Sequence, residues 1–224
     1  MPEAVFVTAS STTSIAAAYN EILMHVRARG DAELLLLVHD DVVVADGQIA
    51  QKCRAAFDDP TIGVVGVIGS RRPAGLAWWQ AVEKFGRVDE SRYLISFGSR
   101  RAPADVDVVD GLFLALSPWV VQNLSFDEKT YQGFHAYEAD MCLSVQTAGR
   151  RVVVRDFDIF HATKGGLGNP ESFARADRAF RAKWRGSNLL SGATRTWDTK
   201  APIRRAADIV APTMRRLRGR MRQI

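Results

Sequence analysis

Cysteine is almost absent from the chain: Cys53 and Cys142 are the only two among 224 residues, and they lack metal-type spacing. That excludes a disulfide scaffold and reads as two reduced core thiols. Long apolar runs are missing as well. None approaches the roughly 18 residues that span a bilayer, and the longest, such as residues 34–38 (LLLLV), are strand-sized. The first residues, MPEAVFVTAS, lack the basic start and apolar stretch of a signal peptide, so a cytoplasmic address is expected. No internal repeat is visible, and no low-complexity segment precedes the C-terminal tail. Net charge is also small over most of the chain. Residues 200–224 hold eight basic residues and one acid, a local charge of +7, so the +5 of the whole leaves −2 for residues 1–199. A body with that balance is not a nucleic-acid surface.

What is present is an ordinary globular composition, 47% apolar and 25% charged, long enough for one sizeable core. Strand and helix signals alternate along it. Residues 4–8 (AVFVT) are β-rich, and residues 14–29 place Ile15, Tyr19, Leu23 and Val26 at helical spacing. Residues 34–38 are apolar without alternation, as expected of a parallel strand covered on both faces. Asp46 is positioned to cap a helix reaching about Phe57, which Asp59-Pro60 ends. Residues 62–68 read as one buried strand, 70–104 as loop, 106–116 as strand, 137–148 as helix, 151–155 as strand and 171–184 as a last helix. This order predicts an α/β sheet with helices on its faces. Ligands of such sheets gather at the carboxyl ends of the strands.

Directly behind LLLLV stands His39-Asp40-Asp41. Adjacent carboxylates at the end of an apolar strand are costly unless their charge is compensated. A divalent cation with a phosphate-bearing ligand would do so, and hard oxygen ligands suit Mg²⁺ or Mn²⁺. Capping a turn toward solvent satisfies the same two acids. The local pattern alone does not choose.

The rest of the chain supplies a family. LLLLVHDDVVV resembles the acidic step of the family 2 glycosyltransferases of GT-A fold, within a subgroup related to a streptomycin-biosynthesis protein. His39 takes the place of the first acid and Asp41 that of the second. Further pieces follow in register over about residues 14–185: the Tyr19-Asn20 helix, the Trp78-Trp79 pair, Asp110-Gly111, Gly133-Phe134-His135, the block from Tyr137 to Leu143, Ile159-Phe160-His161 and Lys183-Trp184. The resemblance implies a GT-A-like (Rossmann-like) mixed, mostly parallel sheet with helices on both faces. Relative to the family the chain reads as shortened at its N-terminus, so that residues 4–8 replace the first strand or part of the nucleotide pocket is lacking.

The resemblance also implies roles. A nucleotide-sugar donor would contact Ser10, Tyr19, Asn20, Asp40, Lys164 and Gly165. An Mn²⁺ or Mg²⁺ ion would sit at Asp41, His39 and His161. An acceptor, a saccharide or a lipid-linked one, would meet Asp110, Trp78 and Trp79. The catalytic base of an inverting transfer falls on Glu138, with Asp140 as the alternative. Each residue also has a plain structural reading: His161 as a strand-end histidine, Asp110 as a turn former, the tryptophans as core, and either acid as a helix N-terminal charge.

The tail differs in kind. Ile203, Ala207, Val210, Met214, Leu217, Met221 and Ile224 recur at four- and three-residue steps with arginines between them. This predicts a basic amphipathic helix broken at Pro212. A docked helix with a solvated basic face satisfies the pattern, as does an anionic membrane surface or a homo-oligomer contact. The expected function is a metal-dependent sugar transfer from a nucleotide donor. The alternatives are a non-catalytic nucleotide- or carbohydrate-binding domain, or a membrane-surface or polyanion-binding module acting through the tail.

Overall fold

A computed structural model describes residues 14–90, 94–97, 103–162 and 168–187. The expected strand at 4–8 and the tail at 200–224 lie outside them. In chain order the elements are α1 (Ile15–Arg29), β1 (Leu35–Val38), β2 (Val42–Val44), α2 (Ile49–Phe57), β3 (Ile62–Gly66) and β4 (Ile68–Arg71). A short 3-10 turn, Trp78–Gln80, precedes β5 (Glu83–Glu90), β6 (Leu94–Phe97), β7 (Ala104–Val106), β8 (Val108–Val109) and β9 (Phe113–Leu116). The remaining elements are α3 (Pro118–Asn123), α4 (Tyr137–Thr147), β10 (Arg151–Val154), β11 (Ile159–His161) and α5 (Pro170–Lys183).

The helix ends follow the capping chemistry of the sequence. The Ser14 side chain accepts from the Ala17 N–H at 3.0 Å, and Gly30 closes α1 in the left-handed region. Ser117 and Pro118 open α3, and Asn169 and Pro170 open α5, where Asn169 accepts from the N–H groups of Glu171 and Ser172. Asp46 does not cap α2 directly. It lies two residues before the N-cap, Gln48, whose N–H it accepts at 2.9 Å, and it pairs with Lys52 at 2.5 Å.

Two mixed sheets result among the described residues. One has the order β1-β9-β3-β10-β7, and the other β2-β11-β5-β4-β8, with β6 paired to β5. Only β3–β10 and β5–β11 are parallel; the other described pairs run antiparallel. The expectation of a mixed sheet holds, but that of a mostly parallel one is corrected: the described pairings are mostly antiparallel and form two sheets. The physical reason is the stretch read as loop, which folds into antiparallel partners: β4 pairs with β5, and β5 with β6. Residues 34–38 also differ from expectation, because β1 pairs antiparallel with β9 and is only partly buried. The segments 62–68 and 106–116 each divide between the two sheets, at Val67 and around Asp107 and Asp110. Gly66 permits the first of these divisions, since a Cβ there would lie 2.5 Å from the Val109 side chain.

The core joins Val64, Val65, Leu114, Leu116 and Val152–Val154 of the first sheet to Met141, Leu143 and Val145 of α4, all buried. Each large apolar side chain buried here contributes roughly 1.5–3 kcal/mol. No helix among the described residues is long and apolar enough to cross a membrane.

Candidate functional site

The chain passes from one sheet to the other at several points, and two of these crossings carry the candidate chemistry. Between β1 and β2 the chain turns through His39-Asp40-Asp41, closed by the Val42 N–H donating to the His39 carbonyl at 3.2 Å. Between β8 and β9 it turns through Asp110-Gly111-Leu112. Asp110 shapes that turn by accepting the Leu112 N–H at 3.0 Å, and the Leu112 carbonyl accepts the His39 N–H at 3.1 Å. The two acidic turns are thus fastened together. β11 then pairs with β2 so that His161 stands opposite Val42, next to Asp41.

His39, Asp41 and His161 each present a ligand atom, all within 4.8 Å of one another. The Asp41 carboxylate is 3.3 Å from His161 Nε2, and Glu90 of β5 approaches His161 Nδ1 to 3.7 Å. Burial disfavours the His161 cation, but Glu90, Asp41 and Asp110 outweigh it and raise its pKa. Burial lowers that of His39. Two imidazoles and a carboxylate with room beside them fit a divalent transition ion, and fit Mn²⁺ better than the oxygen-seeking Mg²⁺.

His39 is held from behind. Its Nε2 lies 2.6 Å from the Tyr137 hydroxyl. Tyr137 is buried, its ring meets that of Tyr19 edge-on, and burial raises its pKa well above the ordinary value. Tyr137 fits because residue 111 has no side chain: a Cβ there would lie 2.1 Å from the Tyr137 oxygen.

A cavity of about 870 Å³ opens beside the cluster, within the range of small-molecule sites. Tyr19, His39, Asp40, Asp41, Trp78, Trp79, Asp110, Glu138 and His161 all line it. Asp40 is exposed at the rim. Trp78 donates its indole N–H to Asp110 at 3.1 Å and meets the Trp79 ring edge-on. Glu138, at the start of α4, has a buried Oε2 with no hydrogen-bond partner among the described residues. Burial, reinforced by the charge of Asp110, pushes its pKa up to about 8.

Two residues expected in the site stand elsewhere. Asp140 is buried away from the cavity, accepting from the Tyr131 hydroxyl (3.0 Å) and the Trp184 indole (2.8 Å) and pairing with Lys183 at 2.9 Å. Asn20 ties α1 to the following chain by donating to the Phe126 carbonyl at 2.9 Å and accepting its N–H at 2.8 Å. Ser10, Lys164 and Gly165 lie outside the described residues.

Sequence reasoning gave no role to Glu90, Phe134, His135, Phe173 or Asn169. Glu90 fell in the stretch read as loop. Phe173 shares a buried helix face with Asp177 and Phe180, a spacing that reads only as core.

Fold and site together define a mixed α/β protein with a small-molecule cavity beside a cluster able to hold a divalent ion. Residues 2–165 match the model of the glycosyltransferase like family, and the chain belongs to that family. It is similar to streptomycin biosynthesis protein StrF of Streptomyces griseus, 32% identical over 154 residues, which cover 68% of this chain and 54% of the relative. The chain thus spans about half the length of that curated relative. Among solved structures, the crystal structure of A197 from STIV matches with a TM-score of 0.43 and 15% identity, over 67% of this chain and 68% of that one.

Proposed function

We propose that this chain transfers a sugar from a nucleotide-sugar donor to an acceptor hydroxyl, with inversion at the anomeric carbon and dependence on a divalent ion, Mn²⁺ first. Family membership supports glycosyltransferase activity in general. The observation that carries the finer reading is the shared cavity, which has the His39–Asp41–His161 cluster and the half-covered acid Glu138 in its lining.

His39, Asp41 and His161 would hold the ion, which when bound supplies positive charge against the donor diphosphate. The remaining work falls to side chains. The Glu138 carboxylate removes the acceptor hydroxyl proton as the hydroxyl oxygen bonds to the anomeric carbon. The bond from that carbon to the diphosphate oxygen breaks, and the nucleoside diphosphate leaves with the electron pair. Asp110 orients the acceptor and, through the indole N–H, fixes Trp78 as part of the wall. Asp140 serves in this reading as a structural anchor of α5 and not as the base, since its oxygens are engaged by Tyr131, Trp184 and Lys183.

Calorimetry with UDP-, GDP- and TDP-sugars, with and without Mn²⁺, tests the reading. Binding of one of them that requires Mn²⁺ supports it. Binding without any metal dependence points to the alternative, a nucleotide- or carbohydrate-binding domain without catalysis. For the tail we propose attachment to an anionic membrane surface, supported by its seven arginines beyond Ala201 and its apolar stripe. The protein would then be cytoplasmic and peripheral, and a lipid-linked acceptor would suit it.

A further inference from the structure

The cavity is lined by four carboxylates, Asp40, Asp41, Asp110 and Glu138, and by no lysine or arginine among the described residues. Asp41 is accounted for by the ion and Asp40 faces solvent at the rim. Asp110 and Glu138 are left. They are close enough for the charge of one to act on the other, and Glu138 Oε2 has no partner among the described residues.

The wall between these acids and the tryptophan loop is a belt of rings in mutual contact. Trp78 meets Trp79 at 6.1 Å between centroids, Trp79 meets Phe173 at 5.7 Å, and Phe173 meets His135 at 5.2 Å. Phe134 continues it at 5.7 Å from His135 and 5.4 Å from His39, and it is 57% exposed, an apolar ring left open to the cavity. Aromatic faces attract cations as well as the C–H faces of rings, and carboxylates without basic partners are relieved by a cation brought by the ligand.

We propose that the acceptor is a cyclic molecule carrying a protonated amine or guanidine, its ring lying on this aromatic belt and its cation between Asp110 and Glu138. This rests on the transferase reading above, of which it specifies the acceptor.

The test uses the full chain with Mn²⁺ and follows tryptophan fluorescence and saturation-transfer NMR at about pH 6, where a sugar amine is protonated. The probes are glucosamine, glucose and glucuronate, matched in size and differing in charge. Glucosamine is expected to half-saturate at a concentration about tenfold below glucose, and glucuronate not to bind. The preference is expected to disappear in Asp110→Asn, which keeps the side-chain shape, and to fall in about 0.5 M salt in the unaltered chain. Equal half-saturation by glucosamine and glucose, or saturation by none of the three, overturns the proposal. Mn²⁺-dependent nucleotide binding measured on the same sample separates the two readings: if it persists while the sugars fail to discriminate, only the acceptor class is wrong.

Discussion

The Tyr137 hydroxyl lies 2.6 Å from His39 Nε2, and its ring meets that of Tyr19 edge-on. When the Tyr137 oxygen accepts from the Nε2–H of His39, Nδ1 keeps the lone pair an ion needs. In the proposed function the His39 imidazole stands where the family resemblance places an acid, and a buried phenol one helix away fixes its orientation. Behind His161, the Glu90 carboxylate lies 3.7 Å from Nδ1, near enough for charge attraction. Partners behind metal ligands fix ring orientation and tautomer.

Tyr137→Phe keeps the ring packing and removes the hydrogen bond. Mn²⁺ affinity is expected to fall about tenfold or more, with a stability loss of about 1 kcal/mol. Calorimetric Mn²⁺ titration beside a thermal melt separates the two effects. Metal affinity equal to that of the unaltered chain would remove Tyr137 from the account.

Glu138→Gln is expected to abolish transfer while donor affinity stays within about twofold, because in the proposed mechanism the residue acts on the acceptor. Its pKa, raised from 4.5 to about 8 by burial and Asp110, also has a stability consequence. Between those values the unfolded chain has released a proton that the folded chain retains, so this group makes stability fall as pH rises through the interval. Denaturant midpoints measured across it should fall less steeply in Glu138→Gln. An unchanged slope would show that Glu138 titrates normally.

Asp140→Asn removes the charge opposite Lys183 and weakens the acceptor of Tyr131 and Trp184. It is expected to cost about 1–3 kcal/mol in urea unfolding. In the folded fraction, transfer is expected to persist. A stable variant that has lost transfer would instead move the base to Asp140.

Removal of residues 201–224 takes away seven arginines and one aspartate. The full chain is expected to sediment with anionic vesicles, less so as salt rises, and the shortened chain to stay in solution. Equal behaviour of the two would end the membrane proposal for the tail.

Much of this arrangement was legible in the sequence, because some of its signals are local. Ser14 opens the expected helix over 14–29 through its own side chain, whereas the caps Ser117 and Asn169 were not read as helix starts and α3 was not expected. His39-Asp40-Asp41 and Asp110-Gly111 announce turns at strand ends. What was not legible depends on pairing at a distance. Glu90 matters only because β5 lies beside β11. Asp140 has the same local sequence whether it faces the cavity or Lys183, and only the docking of α5 decides. The strands between Ile68 and Phe97 were missed because Gly69, Gly86 and the charges of β5 hide their pattern. Gly86 sits at a φ of +91, and there a side chain would meet the Val67 carbonyl.

The most direct test of the account is a titration of Mn²⁺ into the full chain and into Asp41→Asn, followed by the loss of the free-ion paramagnetic resonance signal, with a nucleotide sugar present and absent. Asp41→Asn keeps the side-chain size and leaves His39 and His161 in place. The account predicts one Mn²⁺ bound per full chain, bound more tightly with the nucleotide sugar, and a loss of affinity of about tenfold or more in a variant that melts as the full chain does. Equal Mn²⁺ binding by both proteins, with the nucleotide sugar making no difference to either, would contradict it.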